Sequence, residues 1–280
     1  MSRHDNIAAQ PVVELELSSP GPVLRPVYAI PVGWAPEPSQ RHPFSRAAEA
    51  LYVAFERVFA LVALLAAAPI MLLQAIVIRL ETPGPALFFQ QRTTMSRPVR
   101  GRDLIGRTDL LPPEGRFDPD RYYLVPESFR FVKFRTMYAD ARQRWPELYD
   151  YRYSREDMRT GGYKKPNWRD PRITPIGRVL RRLTVDELPN FWCVLTGDMR
   201  LVGPRPELPE MLPNLSPEEM LRFAVKPGIT GLAQTNGRGN LPFLETIAWD
   251  LRYVRARSLA LDLRILMRTA WLVLARRGAF

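Results

Sequence analysis

The stretch that decides how this chain is built runs from Val58 to Ile78 and reads VFALVALLAAAPIMLLQAIVI. These 21 residues carry no charge, are bracketed by Arg57 and Arg79, and include only one clearly polar side chain, Gln74. As a helix the stretch covers roughly 30 Å, about the thickness of one hydrocarbon core. Pro69 sits at its middle, after Ala66-Ala67-Ala68. A proline there removes one backbone hydrogen bond and clashes one turn back. Two readings follow. The segment is either a single spanning helix, which tolerates such a proline, or a helix-break-helix that enters and leaves the membrane by one face. Arginines on both flanks give no orientation.

Working outward toward the N-terminus, Arg46 to Arg57 reads as a helix with Ala47, Leu51, Ala54 and Val58 on one face. Residues 1–44 hold eight prolines and no lasting period. They are expected to be a disordered or polyproline-like tail. No apolar run follows the first basic residues closely, so a signal peptide is not expected.

Toward the C-terminus the character changes. Thr82-Pro83-Gly84-Pro85 is a turn, and Ala86 to Arg92 is expected to be a strand. Residues 96–127 are rich in Arg, Pro, Gly and Asp and read as a surface insertion. Phe129 to Arg135 alternates apolar and basic residues, which predicts a strand with Lys133 and Arg135 on one face. Tyr138 to about Arg159 reads as helical, Ile176 to Leu183 as a short basic helix carrying Arg178, Arg181 and Arg182, and Asp186 to Leu195 as an apolar helix. Ser216-Pro217-Glu218-Glu219 is a helix start with a capping box. The last helix, from Leu259, sets Leu263, Leu266, Met267, Ala270 and Leu274 against Arg264, Arg268, Arg276 and Arg277. It suits the membrane interface or a core-packed helix with a solvated basic face.

The inventory restricts the chemistry. The chain has 280 residues, with 40 Lys+Arg against 29 Asp+Glu and a net charge of +11. Only four of the cations are lysines, and a basic chain points to a polyanionic partner such as anionic lipid, phosphorylated substrate or nucleic acid. Cys193 is the single cysteine, and His4 and His42 are the only histidines, both in the expected tail. A disulfide framework, a Ser-His-Asp triad and a histidine-rich metal site are therefore excluded. There is no Walker A loop and no dinucleotide fingerprint.

Two segments stand out. Asp186-Glu187 follows Arg178, Arg181, Arg182 and Thr184. Thr184 with Glu187 three residues on matches a capping box, so the acids have a purely structural reading. An ionised carboxylate there can equally hold Mg²⁺ or attack phosphorus. In Leu201-Val202-Gly203-Pro204-Arg205-Pro206, two prolines and a glycine pin one arginine. That is what a phosphate clamp requires, although a proline-rich turn is the plainer reading. Lys133 to Met137 and Lys226 to Gln234 are weaker signals of the same kind.

Taken together and in this order, these segments resemble the bacterial sugar transferase family, the monotopic phosphoglycosyl transferases. The likeness covers about residues 50–280 and runs through the apolar segment with Pro69, Thr82 to Pro85, Phe88 to Arg92, and Lys133 to Met137. It continues through Asp170 to Thr174, Arg178, Thr184 to Pro189, Gly197 to Pro206, Lys226 to Gln234 and Ser258 to Asp262. The resemblance implies an α+β, mostly helical, membrane-monotopic fold. Residues 45–80 would form an amphipathic lead-in and a re-entrant helix broken at Pro69. Residues 81–280 would form a catalytic domain on the cytoplasmic side of the bacterial inner membrane.

It also implies the reaction: transfer of a sugar-1-phosphate from a UDP-sugar to undecaprenyl phosphate with release of UMP, priming exopolysaccharide or glycoconjugate synthesis. Asp186 would be the nucleophile and a Mg²⁺ ligand, with Glu187 its partner. Arg205, Lys133, Arg135 and Arg172 would bind phosphate. Membrane lipids are expected partners, nucleic acid is not, and a homodimer is left open. The sequence departs from the family pattern at Cys193 (usually Asn), Asn190 (usually Gln), Ala68 (Ser in some members) and in the 32-residue stretch 96–127. The large members' multi-span N-terminal domain is absent, which would set the chain among the small ones. The competing reading from another class is a non-catalytic, membrane-anchored binder of anionic lipid or polymer, indifferent to Asp186 and Glu187.

Overall fold

The structure is a computed structural model that describes residues 26–34, 46–150, 153–160, 169–237 and 241–275. Nine short strands and eight α-helices follow one another among these residues. The strands are β1 (Val27–Tyr28), β2 (Ile30–Pro31), β3 (Leu87–Thr93), β4 (Arg97–Arg100), β5 (Leu110–Leu111), β6 (Tyr122–Val125), β7 (Ser128–Phe134), β8 (Arg200–Val202) and β9 (Gly228–Thr230). The helices are α1 (Arg46–Glu81), α2 (Ala141–Arg144), α3 (Arg155–Thr160), α4 (Pro175–Leu183), α5 (Phe191–Thr196), α6 (Leu232–Gly237), α7 (Phe243–Ala256) and α8 (Leu259–Leu274), with short 3₁₀ turns between them. The class is α+β.

Helix α1 is a single element of 36 residues with Pro69 inside it, so the lead-in and the apolar segment are continuous. The expected break at Pro69 is not a break between two helices. The burial pattern of α1 is inverted relative to an ordinary surface helix. Its buried residues, Glu56, Ala60, Gln74 and Ile78, include the polar ones, whereas Leu65, Leu72 and Leu73 are more than half exposed. Apolar groups turned away from the protein want a hydrocarbon environment, in keeping with membrane association of the chain.

Both ends of α1 are tied to the same body. Near the N-terminal end Glu49 and Glu56 pair with Arg200 at the start of β8, and Glu56 also accepts from the Leu201 amide at 2.9 Å. Near the C-terminal end, Ile78 packs with Phe134 and Leu180, and Glu81 accepts from the Ile176 amide of α4 at 2.7 Å. Helix α8 repeats the inversion. Asp262 and Ile265 face inward, while Leu263, Met267, Trp271 and Val273 are exposed. Much of the apolar face expected for this helix therefore does not pack on the core.

The main core lies around the antiparallel pair β3–β7, registered from Leu87↔Phe134 to Thr93↔Ser128. Phe129, Phe131 and Val132 pack against Val194, Met199, Leu201, Tyr253 and Ile265. Burying each such side chain contributes about 1.5–3 kcal/mol. Strands β8 and β9 pair in parallel. Gly203 and Gly228 permit the closeness of these strands, since a Cβ on Gly228 would lie 2.0 Å from the Gly203 nitrogen.

Three expectations need correction. Residues 26–34 do not belong to a disordered tail. β1 pairs in parallel with β5, and β2 pairs with β6 in a three-stranded sheet ordered β2-β6-β4. The remaining tail residues, 1–25 and 35–44, lie outside the described residues. The insertion 96–127 is accordingly a folded unit, with Ala29, Leu104, Leu110 and Tyr123 as its own small core. Its polar composition hid this, because few apolar residues suffice when a strand from elsewhere in the chain supplies the rest. The long helix expected from Tyr138 to Arg159 is instead α2, a 3₁₀ turn (Pro146–Tyr149) and α3. Pro146 denies the chain a backbone donor at the point where α2 ends.

Candidate active site

Helix α4 starts and stops with unusual definition, and its stop builds the site. Thr174 caps its first turn, with the side chain accepting from the Gly177 amide at 2.9 Å. Gly177 lets the helix approach β7 closely, since a Cβ there would fall 2.1 Å from the Thr136 carbonyl oxygen. The helix ends at Thr184, whose φ of 56° is left-handed. Among the described residues it is the only non-glycine residue with positive φ. A β-branched residue in this region is strained by about 1–3 kcal/mol. The capping-box reading of Thr184 does not hold, since Thr184 closes the preceding helix. The chain then turns through Val185-Asp186-Glu187 into a 3₁₀ turn (Leu188–Asn190) and α5. The apolar helix expected from Asp186 begins only at Phe191.

The end of β7 fixes this turn. The Phe134 amide donates to the Asp186 carbonyl at 2.9 Å, which sets Lys133 beside the two acids. Lys133 also lies 5.7 Å from the Phe88 ring on β3. Arg205 reaches the dyad from the Gly203–Pro206 loop and donates to Glu187 Oε1 at 2.8 Å. Four of the residues expected at the site, Asp186, Glu187, Lys133 and Arg205, are thus brought together.

Two further cations join them. Arg181, on the last turn of α4, donates through Nε to Thr136 Oγ1 at 2.9 Å and acts electrostatically on Asp186. Arg92, on β3, donates to Gln90 at 3.0 Å and to the Pro206 carbonyl at 3.3 Å, and acts on Lys133 and Glu187. Strand parity was the available signal for Arg92. Phe88, Gln90 and Arg92 are the register partners of Lys133, Phe131 and Phe129, so all lie on one face. Arg181 was one of three arginines on a short helix, and only packing shows that it turns inward while Arg178 and Arg182 are exposed.

Arg135 and Arg172 do not join the cluster. The Arg135 guanidinium caps the end of α1, donating to the carbonyls of Thr82 at 2.8 Å and Pro83 at 2.7 Å. Unpaired carbonyls at a helix end attract a buried cation for the same reason that phosphate does. Arg172 is buried in a forked pair with Asp170, its Nη2 donating at 2.7 Å, while Nη1 donates to the Leu148 carbonyl at 2.8 Å. It also lies 4.8 Å from the Tyr149 ring. Both guanidinium groups are committed to the protein itself.

The electrostatics separate the two acids. Burial, and then the neighbouring Glu187, push the Asp186 carboxyl above its usual range, with Lys133 and Arg181 opposing. Burial acts on Glu187 as well, but Arg205, Lys133 and Arg92 outweigh it and hold that carboxyl below its usual range. Lys133 is brought down to about 8 by burial and by the adjacent Arg181 and Arg92. Four cations (Lys133, Arg92, Arg181, Arg205) surround the two carboxylates, while Asp170 also acts on Arg181 and Glu207 on Arg205. Among the described residues no side chain donates a hydrogen bond to Asp186, and no group of three or more His, Cys, Asp or Glu is placed to hold a metal ion. The arrangement offers one available carboxylate in a surplus of positive charge, which suits an anionic electrophile.

The bacterial sugar transferase family matches residues 47–99 and 116–276, skipping 100–115 in the folded insertion. The chain is 35% identical over 252 residues to an undecaprenyl-phosphate glucose phosphotransferase of Komagataeibacter xylinus, covering 86% of this chain and 39% of that protein. It is 34% identical over 221 residues to a UDP-glucose:undecaprenyl-phosphate glucose-1-phosphate transferase of Caulobacter vibrioides, covering 76% of this chain and 66% of that one. It is also 34% identical over 154 residues to the exopolysaccharide production protein ExoY of Rhizobium meliloti, covering 55% and 67%. The first of these relatives is much longer, and the matched region spans about two-fifths of it. With more than half of its length matched, the chain belongs to the bacterial sugar transferase family.

Proposed function

We propose that this chain is a phosphoglycosyl transferase that moves a sugar-1-phosphate from a UDP-sugar to undecaprenyl phosphate and releases UMP. The observation that carries the reading is the Asp186 carboxylate, without a side-chain hydrogen bond of its own, set among four cations. In the first step a carboxylate oxygen of Asp186 attacks the phosphorus that bears the sugar. The bond to the oxygen of the uridine phosphate breaks, and UMP departs with that electron pair. In the second step a phosphate oxygen of the lipid attacks the same phosphorus and the bond to Asp186 breaks, restoring the carboxylate. No proton need be taken up or released in either displacement, which is consistent with a site without histidine.

The cations have separable tasks. Arg205, pinned between Pro204 and Pro206, orients the phosphate while neutralising Glu187. Lys133 and Arg181 offset the repulsion between Asp186 and an incoming dianion, and Arg92 extends the positive surface along β3. Pairing with Arg205 keeps Glu187 ionised, so its charge raises the nucleophilicity of Asp186. Mg²⁺ fits this donor set. It prefers hard oxygen ligands and binds through one or two carboxylates completed by substrate phosphates, so Asp186 with the donor diphosphate is sufficient. When bound it would supply charge neutralisation at the phosphates.

The membrane seat follows from α1. A helix 36 residues long extends about 54 Å. With both ends bound to one body it presents its apolar side, not its axis, to the bilayer. This supports entry and exit by one membrane face, without the expected break into two helices, and with both flanks in the cytoplasm of a bacterial inner membrane, where a lipid phosphate would lie at headgroup depth. Reporters at residues 45 and 280 both reading as cytoplasmic would agree with it, and opposite sides would overturn it.

The experiment for the reaction is UMP release by detergent-solubilised protein with Mg²⁺, undecaprenyl phosphate and a panel of UDP-sugars. The expected result is release with one sugar, dependent on the lipid and abolished by EDTA. Turnover that persists in EDTA would remove Mg²⁺ from the account. Release from no donor by a folded, membrane-seated protein would favour the non-catalytic reading.

A further inference from the structure

The loop that carries Arg205 is held by a buried arginine that never reaches the dyad. Arg222, on the 3₁₀ turn Glu219–Ala224, is 1% exposed. Its Nη1 donates to Glu207 Oε2 at 3.2 Å, while Nη2 donates to Asp250 Oδ2 at 2.6 Å and to the Arg205 carbonyl at 3.1 Å. Asp250 comes from α7 and is equally buried. The rest of the loop is pinned residue by residue. The Gly203 amide donates to Thr230 at 2.9 Å, and the Pro204 carbonyl accepts from Gly228 at 2.9 Å. The Pro206 carbonyl accepts from Arg92 at 3.3 Å, and the Glu207 carbonyl accepts from Thr93 at 2.8 Å. Arg222 supplies the hold on the Arg205 carbonyl, between those of Pro204 and Pro206.

We infer that Arg222 is a positioning residue for the phosphate clamp: with Asp250 and Glu207 it fixes the Arg205–Glu207 backbone so that the Arg205 side chain meets Glu187 and the donor phosphate in one geometry. A buried ion pair is a poor way to gain stability, because desolvation consumes most of the attraction. Its use directly behind a clamp residue is explained by geometry. Only a planar fork can bond Glu207 through one nitrogen while the other serves Asp250 and the loop carbonyl, and a lysine cannot reproduce that. Orientation matters steeply here, since a misplacement of about 1 Å costs on the order of a hundredfold in rate.

The inference rests on the proposed reaction for its kinetic readout, so it is tested by two measurements. The first compares donor kcat and KM for wild type, Arg222→Lys, Arg205→Lys and the double variant. Arg222→Lys is expected to lower kcat/KM about 10–100-fold. In the Arg205→Lys background the same change should cost less than about threefold, because the two residues act through one contact. Equal losses in both backgrounds, or no loss, would overturn the proposal. The second is amide hydrogen exchange at Arg205, Glu207 and Leu208, which needs no activity. Faster exchange there in Arg222→Lys, with the melting transition retained, is expected, and unchanged exchange would overturn it. If wild type releases no UMP, the reaction fails while exchange still decides the positioning role. Should Arg222→Lys not fold, Asp250→Asn loosens the same fork while keeping its shape and is read in the same two ways.

Discussion

Two clusters of acids and arginines lie close together in this protein and are built on opposite plans. Around Arg222, one cation faces two carboxylates, everything is buried, and both guanidinium nitrogens that bond are committed. Around Asp186 and Glu187, four cations face two carboxylates, and the hydrogen bond that spans the two sets is Arg205 to Glu187. The first cluster is closed by its hydrogen bonds, with one negative charge more than its cation answers. In the second the cations outnumber the acids, and Asp186 is buried among them without a side-chain hydrogen bond from any of them. A network closed by hydrogen bonds holds a shape, whereas a surplus of positive charge suits an anionic ligand. The residues are of the same types in both, so composition does not tell them apart. Stoichiometry and hydrogen bonding do.

The sharpest way to break this comparison is Asp186→Asn. Removing the nucleophile is expected to abolish turnover, a loss of at least about a thousandfold, measured as UMP release. The fold should not suffer. The native carboxyl lies above its ordinary pKa, so its charge costs stability once the pH passes that of the unfolded chain, and the neutral amide removes the cost. A melting temperature equal to or above wild type checks this. A large drop would make Asp186 a structural residue like Asp250.

Next in size, Arg205→Ala should lower kcat/KM by about 10²–10³-fold with little change in melting temperature, as expected for loss of one oriented donor. Arg172→Ala should do the reverse. It leaves the buried Asp170 uncompensated, at a cost of about 3–5 kcal/mol, seen in chemical denaturation, with kcat/KM of the folded fraction near wild type. If Arg172→Ala were a purely kinetic variant, the division between the two kinds of cluster would be wrong.

A smaller effect concerns pH. Lys133 titrates near 8, so donor binding should weaken as pH rises through that value and the ammonium is lost, raising KM, while Lys133→Arg should flatten this limb. Stability should move the opposite way. Because the lysine pKa is lowered on folding, the unfolded chain holds the extra proton between about 8 and 10.5, and stability rises with pH across that window. The smallest effect is expected at Thr184. Thr184→Gly relieves the left-handed strain, and since glycine also loses more freedom on folding the net gain should be at most about 1 kcal/mol, measured by denaturant titration. A loss of turnover with this gain would show that the strain holds the dyad in place.

The sequence made the site half legible. Asp186, Glu187, Lys133 and Arg205 could be named because each sits in a short segment whose composition limits its conformation. Arg135 and Arg172 stand apart from the candidate site for a shared reason. An arginine beside a turn satisfies carbonyls or carboxylates of the protein as readily as it binds phosphate, and the choice depends on which groups the fold brings within about 3 Å. Arg92 and Arg181 lie in segments that were recognised, but their orientation was hidden. Strand parity constrains Arg92, and the close approach of α4 to Thr136 selects Arg181 over its two neighbours. The folded insertion was missed because β1 and β5 pair across more than 80 residues, and a two-residue strand has no period to read.

By itself the sequence determined that a long apolar helix exists, that its single cysteine allows no disulfide within the chain, and that an Asp-Glu pair and a proline-flanked arginine are present. These are local properties, fixed by side-chain chemistry and the few conformations that proline and a helical period allow. Tertiary structure alone decided which face of α1 is turned outward and that both its ends bind one body. It likewise settled which arginines close on protein acids and which stay available around Asp186. Those outcomes depend on distances between segments far apart in the chain, and charge balance at a site is a sum over neighbours that only folding assembles.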